Sequence, residues 1–200
     1  MSKQSRSAQS REAAKKASKE ALVKAAMELF PEQGLDVSLD DICAHAGYTR
    51  GAFYVHFKTR DELTLEVMSR VGREWLDSIF GDEDDDGDLL TLMQRFLGEL
   101  LGGTYPLTRA GGMRPYQLLD ACVRSPAIHQ QYLQFVQESV RRLSHYVLNS
   151  QHKRHVRANL DAEQLASILI AVVIGTHTLY DLDYPMDLAR TSATLLQLLA

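Results

Sequence analysis

The sequence has only two cysteines, and this scarcity excludes several kinds of site. Cys43 and Cys122 lie far apart and form no Cys-x-x-Cys pair, so they indicate neither a disulfide framework nor a zinc finger. The basic segment 145–155 holds three histidines, but it contains no cysteine or carboxylate that would complete a metal site. We therefore expect no metal or other cofactor, and a reducing cytoplasm suits this use of thiols.

Long hydrophobic runs and catalytic motifs are also missing. The longest apolar run, residues 168–174, is far shorter than the roughly 18 residues of a membrane span, and no apolar stretch follows the polar N-terminus. The chain has no glycine-rich phosphate loop, nucleophile elbow or His-Glu-x-x-His pair. These absences predict a cytoplasmic protein that is not an enzyme and has no membrane partner.

No segment alternates apolar and polar residues for long enough to predict a strand, whereas helical periodicity runs through nearly the whole chain. The predicted fold is therefore all-α. A first helix ends near Pro31 and Gly34, and short helices follow Ser38 and Thr49. A long fourth helix reaches about residue 80, and the acidic segment GDEDDDGD after it is predicted to be a solvated loop. Five further helices are predicted near residues 89–101, 114–124, 127–150, 161–180 and 186–199.

The net charge of −4 is unevenly distributed along the chain. Residues 1–60 carry ten basic against seven acidic side chains, whereas residues 61–200 carry twelve against nineteen. This asymmetry indicates a small basic module that meets an anion, joined to a larger acidic body. We divide the chain into a flexible arm (1–17), a helix-turn-helix domain (18–60) and a helical C-terminal domain (61–200).

The segment AGYTRGAFYVHFKTRDEL, residues 46–63, predicts a short helix with two unlike faces. On a helical wheel Phe53 and Phe57 fall on one side, and the opposite side has Gly51 and Val55 at its centre. Small residues permit close approach to base edges, and Val55 can touch a thymine methyl. Long polar side chains at the edges of this face can reach phosphates. A helix, a turn centred on Gly47 and this second helix have the spacing of a helix-turn-helix.

From about residue 14 to residue 68 the chain resembles the DNA-binding domain of the TetR/AcrR family of bacterial transcriptional regulators. The resemblance implies a homodimer that binds a double-stranded DNA operator through three N-terminal helices and senses a small-molecule effector in a helical C-terminal domain. Carried over by position, it implies DNA contacts from Thr49, Arg50, Tyr54, His56 and Lys58, and a phosphate contact from Arg60. The predicted DNA-binding residues are Ser38, Thr49, Arg50, Gly51, Ala52, Tyr54, Val55, His56, Lys58 and Arg60. An amphipathic helical hairpin with a solvated basic edge is the alternative interpretation of this segment.

The last two helices are predicted to form the dimer interface, because residues 165–180 are apolar nearly all round and need burial on more than one side. The predicted interface residues are Leu169, Ile170, Val173, Leu195 and Leu198. Methionines and aromatic residues of the C-terminal domain suit an adaptable effector pocket, although packing alone would also explain them. The predicted ligand-binding residues are Trp75, Met93, Phe96, Tyr105, Met113, Tyr116, Leu119, Cys122, Phe135, His177 and Tyr180.

Two functions fit these predictions. One is a ligand-responsive repressor released from a palindromic operator by a largely apolar or aromatic molecule. The other is a helix-turn-helix protein whose C-terminal domain serves only dimerisation or binding of a protein partner. A cavity in the C-terminal domain would distinguish them. The basic N-terminal arm has two interpretations as well, either disordered solubilising sequence or a segment that follows DNA phosphates or enters a minor groove.

Overall fold

The computed structural model describes residues 3–81, 86–102 and 115–199, without the side chains of residues 3–8, 100, 101 and 115. The described residues form helices and no strands, as the sequence predicts. The helices are α1 (Lys3–Gln33), α2 (Leu39–Ala46), α3 (Arg50–Tyr54), α4 (Arg60–Phe80), α5 (Leu89–Leu101), α6 (Pro115–Arg124), α7 (Pro126–His152), α8 (Ala162–Asp181) and α9 (Leu188–Leu199).

The first helix is longer at both ends than the sequence predicted. It begins at Lys3, so an irregular start before residue 18 is wrong, and the many Ala, Lys, Gln and Glu residues of this stretch explain the helix. It also continues through Pro31 to Gln33, because a proline in the last turn has a helical φ and its missing N–H forfeits only one hydrogen bond. The amide of Gly34, which has φ +82°, then donates to the Phe30 carbonyl at 2.9 Å.

Two hydrophobic cores meet along α4. Leu63 and Val67, in its first half, pack with α1, α2 and α3 and with the apolar side of α6. Trp75 and Ile79, in its second half, pack with α5, α7, α8 and α9. One continuous helix therefore contributes to both cores and connects the C-terminal core to the DNA-binding module.

The sequence predicted a solvated loop for the acidic segment after α4, but the last residue of this segment is buried. Asp88 is buried, and its Oδ1 accepts the Thr91 amide hydrogen at 3.0 Å as the cap of α5. Its Oδ2 lies 3.1 Å from His155 Nδ1, so folding brings a carboxylate to the histidine segment that has none in sequence. Hydrogen bonds, chiefly from the Thr91 amide, lower the pKa of Asp88 to about 2.

Candidate nucleic-acid interface and effector cavity

Local capping interactions position the two short helices of the helix-turn-helix. Ser38 Oγ accepts the Asp41 amide hydrogen at 3.1 Å and donates to the Asp41 carboxylate at 2.6 Å, which fixes the start of α2. Gly47 ends α2 with φ +74°, a left-handed conformation that glycine adopts without a Cβ penalty. Thr49 Oγ1 then accepts the Ala52 amide hydrogen at 3.4 Å and starts α3. The turn therefore holds α3 at a fixed angle to α2.

The short helix α3 has one buried and one exposed face, as the wheel predicted. Phe53 is completely buried, and its ring centroid lies 5.5 Å from that of the buried Phe57. On the opposite side Tyr54 and Val55 are 56% and 61% exposed. A Cβ added to Gly51 would meet only Thr49 Oγ1, at 3.6 Å, so packing within the chain does not require glycine there. The exposed surface of α3 and its C-terminal turn comprises Thr49, Arg50, Gly51, Tyr54, Val55 and Lys58, with Ala52 half-buried.

Besides the capping residues, Arg60 and His56 are predicted DNA contacts whose side chains have partners inside the domain. The Arg60 guanidinium is half-buried and donates to the carbonyls of Leu35 and Val37, because these loop carbonyls need donors where α4 begins. The guanidinium of Arg60 therefore has hydrogen-bond partners within the chain. His56 Nε2 lies 2.7 Å from Ser18 Oγ, which itself donates to the Lys15 carbonyl, so the imidazole is the donor. Burial, with smaller effects of Lys15 and Lys19, lowers the pKa of His56.

Charged side chains tie α1 to α4 and make the DNA-binding module one packed unit with the start of α4. Arg70 donates to Glu20 at 2.5 Å and to Glu66 at 3.1 Å. Lys19 bonds Glu66 at 3.0 Å and lies 5.7 Å from the Phe57 ring centroid. The module is consequently held at a fixed position on α4, the helix that continues into the C-terminal core.

Three adjoining apolar cavities surround Trp75 in the C-terminal domain. The outer cavity, of about 210 Å³, lies between α4, α6 and α7 and is bordered by Leu118 and Phe135. The inner cavity, of about 100 Å³, lies among α4, α5, α7, α8 and α9 and is bordered by Phe96. A third, of about 50 Å³, lies between Phe135 and His177 and is called here the His177 cavity. Since Trp75 borders all three, a ligand in any of them would contact its indole.

His177 supplies a polar group in these apolar surroundings. It is buried, its Nδ1 donates to the Val173 carbonyl at 2.8 Å, and its ring stands nearly perpendicular to that of Phe96 at 6.2 Å. Burial lowers the pKa of His177, because the effect of desolvation is larger than the opposing effects of the Val173 carbonyl and Asp181. The ring is therefore neutral near pH 7.

Comparison with known proteins agrees with this helical architecture and its N-terminal module. Residues 18–67 match the model of the bacterial regulatory proteins of the tetR family. The uncharacterized HTH-type transcriptional regulator YwcC of Bacillus subtilis (strain 168) is 29% identical over 172 residues, which cover 78% of this chain and 73% of YwcC. Residues 18–67 are therefore a helix-turn-helix domain like that of the tetR-family regulators, and this supports a DNA-binding transcriptional regulator.

Solved structures share the fold of this chain over most of its length. SmeT, the repressor of the Stenotrophomonas maltophilia multidrug efflux pump SmeDEF, matches with a TM-score of 0.64 and 24% identity, covering 86% of this chain and 83% of SmeT. The SmeT–triclosan complex matches with a TM-score of 0.71 and 23% identity, covering 91% of this chain and 89% of that one. At this identity the likeness establishes the fold alone.

Some of the predicted ligand residues border the cavities and others do not. Those that border a cavity are Trp75, Met93, Phe96, Phe135 and His177. Tyr116 and Leu119 are instead 53% and 51% exposed, because α6 directs Leu118 inward. Tyr180 is exposed, and Cys122 packs against the DNA-binding core. Tyr105 and Met113 lie outside the described residues.

Two of the three predicted dimer residues of α8 are buried within the chain. Leu169 and Ile170 are buried in the chain's own core and border the inner cavity, together with Val173 and Leu195. Leu198 alone of the five is well exposed, at 63%. The reason is the 100° rotation per residue of a helix, since an all-round apolar sequence does not say which side faces inward. Sequence reasoning missed Leu118 and Tyr132 as cavity residues for the same reason.

An exposed apolar face of α8 remains next to these buried residues. Its large side chains are Ile168, Val172, Leu179 and Tyr180, with Leu182 just beyond the helix end. By length and composition α8 could also cross a membrane, contrary to the estimate from the longest apolar run, and only 28% of its most apolar window is buried. Helices of this length and composition also occur in the cores of proteins that have no membrane span.

Proposed function

We propose that the protein is a homodimeric cytoplasmic repressor that binds a palindromic operator and is released by a small, largely apolar or aromatic ligand. The observation that carries this proposal is the set of apolar cavities around Trp75. These cavities border α4, which is the next helix after α3, and we take α3 to be the recognition helix. A ligand there is thus in contact with the helix that carries the DNA-binding module.

The exposed face of α3 supports the DNA-binding part of the proposal. Its centre is small and its edges carry Tyr54, Arg50 and Lys58, so the helix can enter a major groove while the edges reach phosphates. One short recognition helix reads few base pairs, and a two-fold dimer doubles the site. The operator is therefore a palindrome, and the exposed apolar face of α8 supplies the dimer contact.

The chemistry of the cavities supports an apolar or aromatic effector. The inner cavity and the His177 cavity have mainly aliphatic and aromatic borders, with His177 and several Ser and Thr hydroxyls as polar groups, and the outer cavity adds Arg73, Glu138 and two glutamines at its border. SmeT, which shares the fold, is described as a repressor and has been solved with triclosan, an aromatic molecule. The second candidate, a C-terminal domain that serves only dimerisation or a protein partner, lacks this support. Transcriptional regulators of this family are generally not enzymes.

Substitutions on α3 test the DNA-binding assignment. We expect Tyr54→Phe and Lys58→Ala to weaken binding to every duplex, and the loss of the Lys58 phosphate contact to reduce the salt slope by about one per subunit. Changes at Ala52 or Val55 should instead alter base preference. Arg154→Gln, an exposed basic residue of the C-terminal domain, is the control. Unchanged gel-shift titrations for both Tyr54→Phe and Lys58→Ala would contradict the assignment.

Trp75 fluorescence tests the effector part, because Trp75 is the sole tryptophan. We expect a panel of apolar aromatic molecules, beginning with triclosan, to contain one that changes Trp75 emission and lowers DNA affinity over the same concentrations. Excess DNA should weaken that molecule's binding by the matching factor. A molecule that changes emission without changing DNA affinity would show that α4 does not transmit the signal. If no molecule changes the emission, the result would favour the second candidate, a C-terminal domain that serves only dimerisation or a protein partner.

A further inference from the structure

The N-terminal half of α1 projects beyond the domain to which the helix belongs. Its 31 residues make a rod about 46 Å long at 1.5 Å per residue. Among the side chains described from residue 9 onward, Ser18 is the first buried one, and residues 9–17 are all exposed. About 20 Å of helix therefore precedes the packed part of the module, and we call residues 3–17 the α1 extension.

The composition of the α1 extension indicates what kind of partner it has. Among residues 3–17 the only aliphatic side chains are alanines, so the extension has no apolar stripe that could dock in a hydrophobic groove. A solvated helix of this length is marginal in water without a partner. Residues 3–17 carry five basic side chains and one acidic one. The partner that suits this surface is a polyanion.

A basic groove of about 480 Å³ lies between the α1 extension and His56. Lys15, Lys16 and Lys19 border it with His56, and Glu12 is the acidic side chain on its wall. Lys19 is paired with Glu66 at 3.0 Å. Among the described side chains no ion pair is recorded for Lys15 or Lys16, so these two ammonium groups supply the net positive charge of the groove.

The position of the groove continues the surface that we assign to DNA. His56 comes two residues after the end of α3 and bonds Ser18 of α1 at 2.7 Å, so the groove begins where the exposed face of α3 ends. Tyr54 and Lys58, on either side of His56 in sequence, are exposed. The groove with Lys15 and Lys16 therefore lies next to the surface that we assign to DNA.

We propose that the basic groove between the α1 extension and His56 binds backbone phosphates of the operator outside the base pairs that α3 reads. This inference rests on the proposed function, because it takes α3 to be the recognition helix. The contacts are sequence-independent, so they strengthen binding and lengthen the protected site without changing base preference.

The test uses the full chain and a duplex of about 40 base pairs that the wild-type protein selects from a random-sequence library. Binding is measured by fluorescence anisotropy at several salt concentrations. We expect Lys15→Gln/Lys16→Gln to lower the slope of log affinity against log salt by about two per subunit, because each lost phosphate contact contributes about 0.9. Glu12→Gln should tighten binding, and Lys15→Arg/Lys16→Arg should bind like the wild type.

Three comparisons make the outcome decisive. Lys24→Gln, on the same helix and 78% exposed but away from the groove, should leave the slope unchanged. Circular dichroism should show equal helix content for all variants in the absence of DNA. If Lys58→Ala weakens binding while Lys15→Gln/Lys16→Gln leaves the slope unchanged, the groove proposal is overturned and the proposed function stands. If Lys58→Ala and Tyr54→Phe have no effect, the proposed function itself fails.

Discussion

At the residue scale, Arg50 and Arg60 show that equal charge does not mean equal role. Both belong to the basic segment from which DNA contacts were predicted. Arg50 is exposed and pairs with Asp40 at 2.8 Å on the surface. Arg60 is half-buried and donates to two loop carbonyls that precede α2. The first arginine is available to DNA, and the second holds the loop that positions α2.

Alanine substitutions of these two arginines should separate stability from binding. We expect Arg60→Ala to lower the free energy of unfolding by about 2 kcal/mol, because it leaves carbonyls without a charged donor. Arg50→Ala should change it by less than about 0.5 kcal/mol, since exposed ion pairs contribute little. Urea unfolding monitored by Trp75 emission measures both. In DNA titrations Arg50→Ala should be the weaker binder at temperatures where both variants are folded. Equal destabilisation of the two variants would contradict these roles.

His177 should make stability depend on pH. Burial lowers its pKa in the folded chain, whereas the unfolded chain retains the ordinary value near 6.5. Below pH 6.5 the unfolded state therefore binds more protons, and the free energy of unfolding falls as pH decreases through that window. The pKa of His56 is also lowered in the folded chain, so His56 contributes to the pH dependence with the same sign. In His177→Gln the loss of stability between pH 7.5 and 5.5 should be smaller than in the wild type. An identical loss would show that His177 does not contribute.

At the element scale, the corner between α6 and α7 gives the C-terminal domain a second connection to the DNA-binding module. Arg124 donates to Asp36 of the α1–α2 loop at 2.8 Å. Ser125 Oγ donates to Asp61 at the start of α4 at 2.5 Å. Since α6 and α7 also border the outer cavity, a ligand there can reach the module through this corner as well as along α4.

Removal of the Arg124–Asp36 pair should weaken the coupling between ligand and DNA. We expect Arg124→Gln and Asp36→Asn to bind an effector with unchanged Trp75 response, yet to lose less DNA affinity when the effector is added. The double variant should add little to either single one, because both break the same contact. Anisotropy titrations with and without effector measure this coupling. Additive effects would indicate that the two residues act separately.

At the scale of the whole molecule, α8 divides its apolar surface between the chain's own core and an outer face. Leu169 and Ile170 face inward, whereas Ile168 is 60% exposed and Val172 is 39% exposed. Several large apolar side chains exposed together on one helix are typical of an interaction surface. In a homodimer the faces of two α8 helices, with Leu198 of α9, can cover each other.

Glutamate at neighbouring positions of α8 should have opposite consequences. We expect Ile168→Glu to remain folded but to sediment as a monomer, because the charge would lie in the dimer contact. Ile170→Glu should lower the free energy of unfolding, because the same charge would lie in the core. Analytical ultracentrifugation and urea unfolding distinguish the two results. A folded, dimeric Ile168→Glu protein would place the interface elsewhere, and its affinity for DNA should then equal that of the wild type.

The sequence alone determined those parts of the protein that depend on neighbouring residues. Ser38, Gly47 and Thr49 specify the ends of α2 and α3 through capping and a left-handed turn, and the boundaries of α4 follow from Thr59 and Gly81. Tertiary structure decided which partners distant groups find. It paired His56 with Ser18 and His155 with Asp88, and it turned Ile170 inward. Capping is a local interaction within about four residues, whereas a helix that is apolar all round gains burial on either side, so only packing against the other helices selects its inner face.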